Sequence, residues 1–405
     1  MTAPPLPVPI PMLTDRARLR TTFLIEAILS FACSFLFIGI FFYTAQVFHW
    51  DLVRNFLLAA TQGAVYMVFA LASQKLARAL GSRRLLIVSH IILAGISLVG
   101  VLASNHAVLT IVIIAYVPLI AINWPVIESA AAANADPRTL SRRIGLYNLI
   151  WAATGTIGLA LQGTLMRFDP RAIFFIPMLI HIAIVIIVLL QRGYGESTSD
   201  QAAQVIPPVH IEPEPALLAQ RTQALWLARI SLPSTYVVIY SLSALMPLLP
   251  IMQRLDPAMQ TLVGSAWLAT RWLTFLVLGA TVFWHTRPRL LLGADVLMAA
   301  SFIAVTAPLG LIGMIAAQLL LGVAVGLIYT ASLYFGMVLS DGSTEHAGYH
   351  EALIGLGQIL GPGVGALTQW RYPKNLPAGV IAVSTLVFLT LIAATIAAAK
   401  TRHRA

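Results

Sequence analysis

Twelve predominantly apolar stretches, each about twenty residues or longer, recur along the chain, and this pattern restricts its fold more than any other feature. An α-helix rises about 1.5 Å per residue, so each stretch is long enough to cross the hydrocarbon core of a bilayer. The spans read as 21–47, 52–74, 85–104, 107–130, 144–166, 171–191, 223–250, 258–284, 290–307, 309–338, 347–369 and 378–399. Composition agrees. The chain is 59% hydrophobic and 10% charged, whereas a soluble domain carries about 25% charged residues. A water-soluble fold this apolar would have nothing to present to solvent. The expectation is an all-α membrane protein with about twelve transmembrane helices.

The net charge of +10 falls at the ends of these spans. With the N-terminus placed inside, Arg16, Arg18, Arg20, Lys75, Arg78, Arg83, Arg84, Arg138, Arg142, Arg143, Arg192, Arg221, Arg287, Arg289, Lys400, Arg402 and Arg404 lie on the inner side. Only Arg54, Arg167, Arg171, Arg254, Arg371 and Lys374 lie on the outer side. Cytoplasmic loops carry the excess of Lys and Arg, so both termini are expected in the cytoplasm and the chain in the inner (cytoplasmic) membrane. No basic stretch is long enough to form a nucleic-acid groove. The first apolar stretch is too long for a cleavable signal peptide and has no small-residue cleavage site after it. The one cysteine, Cys33, excludes a disulfide framework and reads as a small buried side chain.

Residues 193–221 (GYGESTSDQAAQVIPPVHIEPEPALLAQR) are polar, acidic and Pro-containing, and interrupt the rhythm of spans. They read as a cytoplasmic linker between two six-helix bundles, 21–192 and 222–399. Residues 1–20 read as a disordered cytoplasmic tail, its first part rich in Pro, and 400–405 as a cytoplasmic C-terminal tail. The halves look related at an offset of about 203 residues. GLYNLIWAATGTIG from Gly145 to Gly158 aligns with GYHEALIGLGQILG from Gly348 to Gly361, and Asn148 falls on Glu351. The same offset sets Arg84 on Arg287 and Glu26 on Arg229. Two pseudo-symmetric halves of six spans are the pattern of secondary transporters.

With these features the chain resembles the major facilitator superfamily, in its bacterial-type form, over residues 20–400. The loop Gln74–Arg84, QKLARALGSRR, is similar to that superfamily's loop motif: Gly81, Arg83 and Arg84 fit, while Gln74 and Arg78 stand where Gly and Asp are usual. The Gly pattern of its drug antiporters is matched by Gly348, Gly357, Gly361, Pro362 and Gly365, with Ala366 in place of the last Gly. In those antiporters the pattern belongs to span 5. Here it lies in span 11, and span 5 keeps Gly145, Gly158 and Gly163. Glycines of this kind let helices approach closely, and Pro362 allows a bend. The resemblance implies two six-helix bundles rocking about a central site.

Ionisable and polar residues inside spans point to the site, because they are costly in a membrane and usually functional. Arg271 lies about 13 residues into span 8, near the bilayer centre, between Trp267 and Trp272. It reads either as an anchor for an anionic substrate or as half of an ion pair between helices. The resemblance adds that some organic-anion carriers place an Arg on span 8. Glu26 reads as a proton-coupling carboxylate or as a gate partner for Arg229. Glu128 and Glu351 lie near inner helix ends, Asp295 reads as a partner for a loop Arg, and His181 as a core residue or a proton relay. Gln62, Asn148, Tyr240, Gln318 and Gln358 are candidates to line a cavity or to bridge helices. Pro125, after Trp124, is expected to kink span 4. His346 and His350 have the i,i+4 spacing of a zinc site but no assured third ligand, so no metal is expected.

The motifs G-x-x-x-x-G-K-[ST], G-x-S-x-G and H-E-x-x-H are absent, which argues against ATP drive within the chain and against a hydrolase or zinc protease. The expected function is a secondary transporter, without cofactor and monomeric, moving a small organic solute, for which Arg271 makes an anion the candidate, coupled to protons. Efflux of amphipathic drugs, or a transporter-like receptor, are the alternative readings.

Overall fold

The computed structural model describes residues 15–133, 135, 137–191, 194, 215–285, 287, 289–339, 344–373, 375 and 377–402. Among them are fourteen α-helices and no strand. The first half comprises α1 (Asp15–Leu36), α2 (Ile40–Gln46), α3 (Leu52–Leu80), α4 (Ser82–Leu102), α5 (His106–Ala132), α6 (Pro137–Phe168) and α7 (Ala172–Leu190). The second comprises α8 (Pro215–Leu245), α9 (Pro257–Gly264), α10 (Ala266–Ala280), α11 (Arg289–Thr306), α12 (Gly310–Leu339), α13 (Thr344–Arg371) and α14 (Pro377–Arg402). Eleven segments are long and apolar enough to cross a membrane. The remaining long helix, α13, has the length of a span but carries His350, Glu351 and Gln358 on a buried face.

Helix ends follow local chemistry. Asp51, Asn105 and Asp256 accept backbone N–H groups at the starts of α3, α5 and α9. Gly81, at φ +77°, makes the turn between α3 and α4 that a side chain would strain. Two residues later Arg83 donates to the carbonyls of Val188 and Leu189, at 3.0 and 3.3 Å. It thus closes the C-terminal end of α7, where a cation is favoured. Arg84 points outward. Arg18 ties the start of α1 to the end of α5 through the carbonyls of Ala130 and Ala133, both at 3.0 Å, while Asp15 bridges Arg18 and Arg143.

Several boundaries differ from the sequence reading. Helix α1 begins at Asp15, inside the expected tail, and α8 begins at Pro215, inside the expected linker. The rest of the linker, residues 1–14 and 403–405 lie outside the described residues, apart from Tyr194, which is buried against Thr22. Helix α5 runs unbroken through Pro118 and Pro125, and α13 through Pro362. Two spans read as continuous are broken. Span 8 turns at Ser265, between α9 and α10. Span 1 turns at Phe37–Gly39, between α1 and α2. A break inside a bilayer frees carbonyls that water cannot reach, so the protein must bond them. Gln62 of α3 donates to Leu36 O at 3.1 Å, and Gln162 of α6 donates at 2.8 Å to Gly39 O, which also accepts the Phe42 N–H at 3.0 Å. Gly39 is required here, because a Cβ would lie 1.6 Å from the Gln162 amide oxygen.

The halves meet along two seams. Helix α3 packs on α13, with Gly355 seated on the Met67 backbone and Gly63 on Gln358. Helix α6 packs on α9 and α10. At the Arg-rich end Gly145 faces Gly279, and at the opposite end Gly163 lies beneath the Pro257 carbonyl. Of the glycines singled out in span 11, Gly357 and Gly361 pack on the α8 backbone at Pro233 and Val237, and Gly365 on Phe56 of α3. Side chains at these positions would push the helices apart.

Gln162→Leu should lower thermal stability in detergent by about 0.5–1.5 kcal/mol, the net worth of the buried hydrogen bond it removes, since Gly39 O keeps its backbone bond from Phe42. An unchanged melting curve would show that the break in span 1 does not depend on this bond.

Candidate functional site

A cavity open at its mouth lies between the halves, with about 810 Å³ of empty space counted together with the mouth. The first half supplies Ser30, Cys33 and Ser34 of α1, Phe37 and Ile38 of the break, Tyr66 of α3, Trp124 of α5, and Tyr147, Trp151 and Gly155 of α6. The second supplies Tyr236 and Tyr240 of α8, Leu268 and Arg271 of α10, Tyr329 of α12, and Glu351 and Ile354 of α13. The wall is therefore aromatic, with one cation and one carboxyl on it.

Arg271 is 2% exposed. Among the described residues no carboxylate lies within 4.0 Å of it. Aromatic faces surround it instead. Its guanidinium carbon lies 4.5 Å from the ring centre of Trp151, 4.9 Å from Tyr329, 5.5 Å from Phe275, 5.7 Å from Trp267 and 6.0 Å from Tyr236. Such faces attract a cation electrostatically, most strongly when water is excluded. One N–H donates to the Tyr236 hydroxyl at 3.3 Å, and Nε has no partner among the described residues. Trp267 and Phe275 share the arginine's face because they are four residues away on either side. Trp272 is the adjacent residue, lies on another face and packs half-buried against the core, away from the cavity. Asn148 does not line the cavity, but it accepts the Trp151 indole N–H at 3.3 Å and so holds the ring closest to the guanidinium.

A group of carboxyls lies within electrostatic reach of the arginine. Glu351 accepts the Tyr66 hydroxyl and interacts directly with Glu128 of α5. Glu26 of α1, fully buried, accepts Ser30 Oγ at 2.7 Å, with Trp124 and Tyr147 beside it, and interacts electrostatically with both other acids. Three acids from three helices of two halves thus form one cluster, with Arg271 as the cation within electrostatic reach of Glu351.

Other residues from the sequence reading lie elsewhere. Arg229 is not brought to Glu26; it sits against Trp226, 5.7 Å from the ring centre. Asp295 accepts Ser231 Oγ of α8 at 2.7 Å, so it joins two helices rather than pairing with a loop Arg. Tyr240 lines the cavity, whereas Gln62, Gln318 and Gln358 do not. His350 meets Ser332 at 3.1 Å. The His346 side chain lies outside the described residues, among which no metal-binding cluster is found. His181 contacts the Tyr116 hydroxyl at 2.8 Å and stacks on His90, and Tyr116 in turn reaches Cys33 on the cavity wall. The sequence does not single out His90, Trp151, Tyr236 or Tyr329. Tyr and Trp residues are common in spans, and only the fold turns these toward one point.

A family model described as Major Facilitator Superfamily matches residues 22–362. A search of curated proteins finds no significant match. Among solved structures the chain is similar to the human organic anion transporter MFSD10 (TETRAN), with TM-score 0.67 and 14% identity, covering 95% of this chain and 100% of that one. It is also similar to the nucleoside transporter NupG, with TM-score 0.62 and 13% identity over 95% and 98% of the two chains. At these identities the likeness concerns the fold.

Trp151→Leu should destabilise the protein by about 1–2 kcal/mol, because the buried arginine loses its closest aromatic face. Trp151→Phe should recover most of that loss in a thermal melt. Equal stability of the Leu variant and the wild type would contradict the cage.

Proposed function

Because the chain belongs to the major facilitator superfamily and is a membrane transporter rather than an enzyme, we propose that it carries a small organic anion and that protons drive the transport. The observation that supports this most is Arg271: a buried cation on the wall of a cavity shared by both halves, caged by aromatic rings and, among the described residues, without a carboxylate in contact. A guanidinium without an acid partner keeps its hydrogen-bonding fork for a carboxylate or sulfonate brought by the substrate. The aromatic wall suits the apolar body of such a molecule.

Proton coupling is assigned to the cluster of Glu26, Glu128 and Glu351, with Glu26 and Glu351 as the exchanging members. The two halves rock about the cavity and expose it to each side in turn, with α3–α13 and α6–α10 as the contacts that part and re-form. The protein works as a monomer in the cytoplasmic membrane with both ends inside. Export of neutral amphipathic compounds is the second reading, favoured by the aromatic and aliphatic residues that make up most of the cavity wall.

Transport in proteoliposomes separates the two. Arg271→Ala should lower uptake of organic anions by about ten- to a hundred-fold, the effect of losing a charge-assisted hydrogen bond, and Arg271→Lys should retain part of it. Normal anion uptake by the Ala variant, with neutral amphipaths also moving normally, would favour the second reading. Glu26→Gln should slow accumulation driven by a pH gradient while sparing exchange, and unchanged accumulation would rule out a proton role for this residue.

A further inference from the structure

The charges around the cavity do not balance, and the imbalance bears on what is co-transported. This inference rests on the anion reading of Arg271. Three carboxyls meet there: Glu351 on the wall, Glu128 in contact with it, and Glu26 one turn behind Ser30. Among the described residues, one cation faces them, Arg271. The remaining titratable groups turned toward the cluster are the phenols of Tyr66, Tyr147, Tyr194, Tyr236, Tyr240 and Tyr329 and the thiol of Cys33. Phenols and thiols are ordinarily neutral near pH 7. His350, next to Glu351 in the chain, turns to Ser332, and His181 lies behind Tyr116.

Net charge in a buried site is costly, since each unpaired ion loses several kcal/mol of hydration. Before an anion binds, the site is neutral when one of the three carboxyls is ionised and two hold protons. A monovalent anion at Arg271 supplies the negative charge that this carboxylate had supplied. Neutrality then requires that the last carboxyl also take a proton. We propose that a monovalent organic anion bound at Arg271 draws one proton onto the Glu26–Glu128–Glu351 cluster, so that anion and proton cross together, one for one and without net charge.

No bond to carbon is made or broken. The proton comes from water on the side to which the cavity is open, and leaves to water on the other. Glu351 is where the cluster meets the cavity, because it lines the wall with Arg271 while touching Tyr66 and interacting with Glu128, and Glu26 exchanges its proton through it. The same count sets selectivity. With all three carboxyls neutral, Arg271 balances only one negative charge, so a dianion of similar shape is excluded.

Binding to the purified full-length protein in nanodiscs tests this, with benzoate as the probe and the fluorescence of the cavity tryptophans as the signal. Between about pH 6 and pH 8, where benzoate stays ionised, its Kd should weaken by up to about tenfold per pH unit, the limit for uptake of one proton with each ligand. An indicator dye should report about one proton taken up per benzoate bound. Phthalate, a dianion, should bind at least about tenfold more weakly, and neutral benzamide should show no pH dependence. By the same count each single Gln variant keeps one ionised carboxyl and so keeps the pH dependence, whereas the triple variant Glu26→Gln, Glu128→Gln, Glu351→Gln should bind benzoate with no pH dependence; should the triple variant fail to fold, the proton count of the wild type decides the matter. Benzoate binding without proton uptake, or with proton release, would overturn the one-for-one coupling while leaving the anion site intact. Absence of benzoate binding at every pH would remove the anion site itself.

Discussion

In a bilayer every buried polar group must find its partner within the protein, and most of what distinguishes this chain follows from that requirement. Span 1 can break at Phe37–Gly39 because Gln62 reaches in from α3 to bond the Leu36 carbonyl, while Gln162 of α6 adds a bond to Gly39 O beside the one from Phe42 N–H. Arg83 closes the end of α7, and Arg18 the end of α5. Arg271 gives the site its character. It is as deeply buried as the apolar core, yet its surroundings are rings rather than acids. The acids that would have been its partners form a cluster of their own, in which Glu351 accepts from Tyr66 and Glu26 from Ser30, and the three interact electrostatically.

Helix breaks and glycine seams arrange this chemistry. The break in span 1 places Phe37 and Ile38 on the cavity wall, and Phe37 lies edge-on to Trp124 and Tyr66. Gly63 and Gly355 let α3 and α13 run in close contact, which brings Tyr66 to Glu351. Gly145 and Gly279 do the same for α6 and α10, which bring Trp151 to Arg271. Site and seams therefore share helices. A movement of one half against the other necessarily changes the distances on which the charge arrangement depends, the condition for linking substrate binding to a change of access.

Much of this is legible in the sequence, for identifiable reasons. Span positions follow from length and apolarity, and most observed helix ends lie within a few residues of those expected. Arg271 and Glu26 stand out because charge inside an apolar run is rare. Helical spacing places Trp267 beside Arg271, whereas Trp272, adjacent in sequence, falls on another face. The break in span 1 leaves no mark, since hydropathy does not change across it, and Gln162, which sustains it, is one amide among several. The meeting of Glu26 and Glu128 with Glu351 depends on how the two halves dock. No periodicity within a helix reports that.

The central claim is that one cavity, built by both halves, opens to each side of the membrane in turn. Cys33, the one cysteine of the chain, lies on its wall and provides a native reporter. The direct measurement is the rate at which a membrane-impermeant maleimide modifies Cys33 when added to each face of sealed vesicles separately. The account predicts reaction from both faces, slowed from both by a saturating organic anion. Reaction from one face only, under every condition that drives transport, would contradict it.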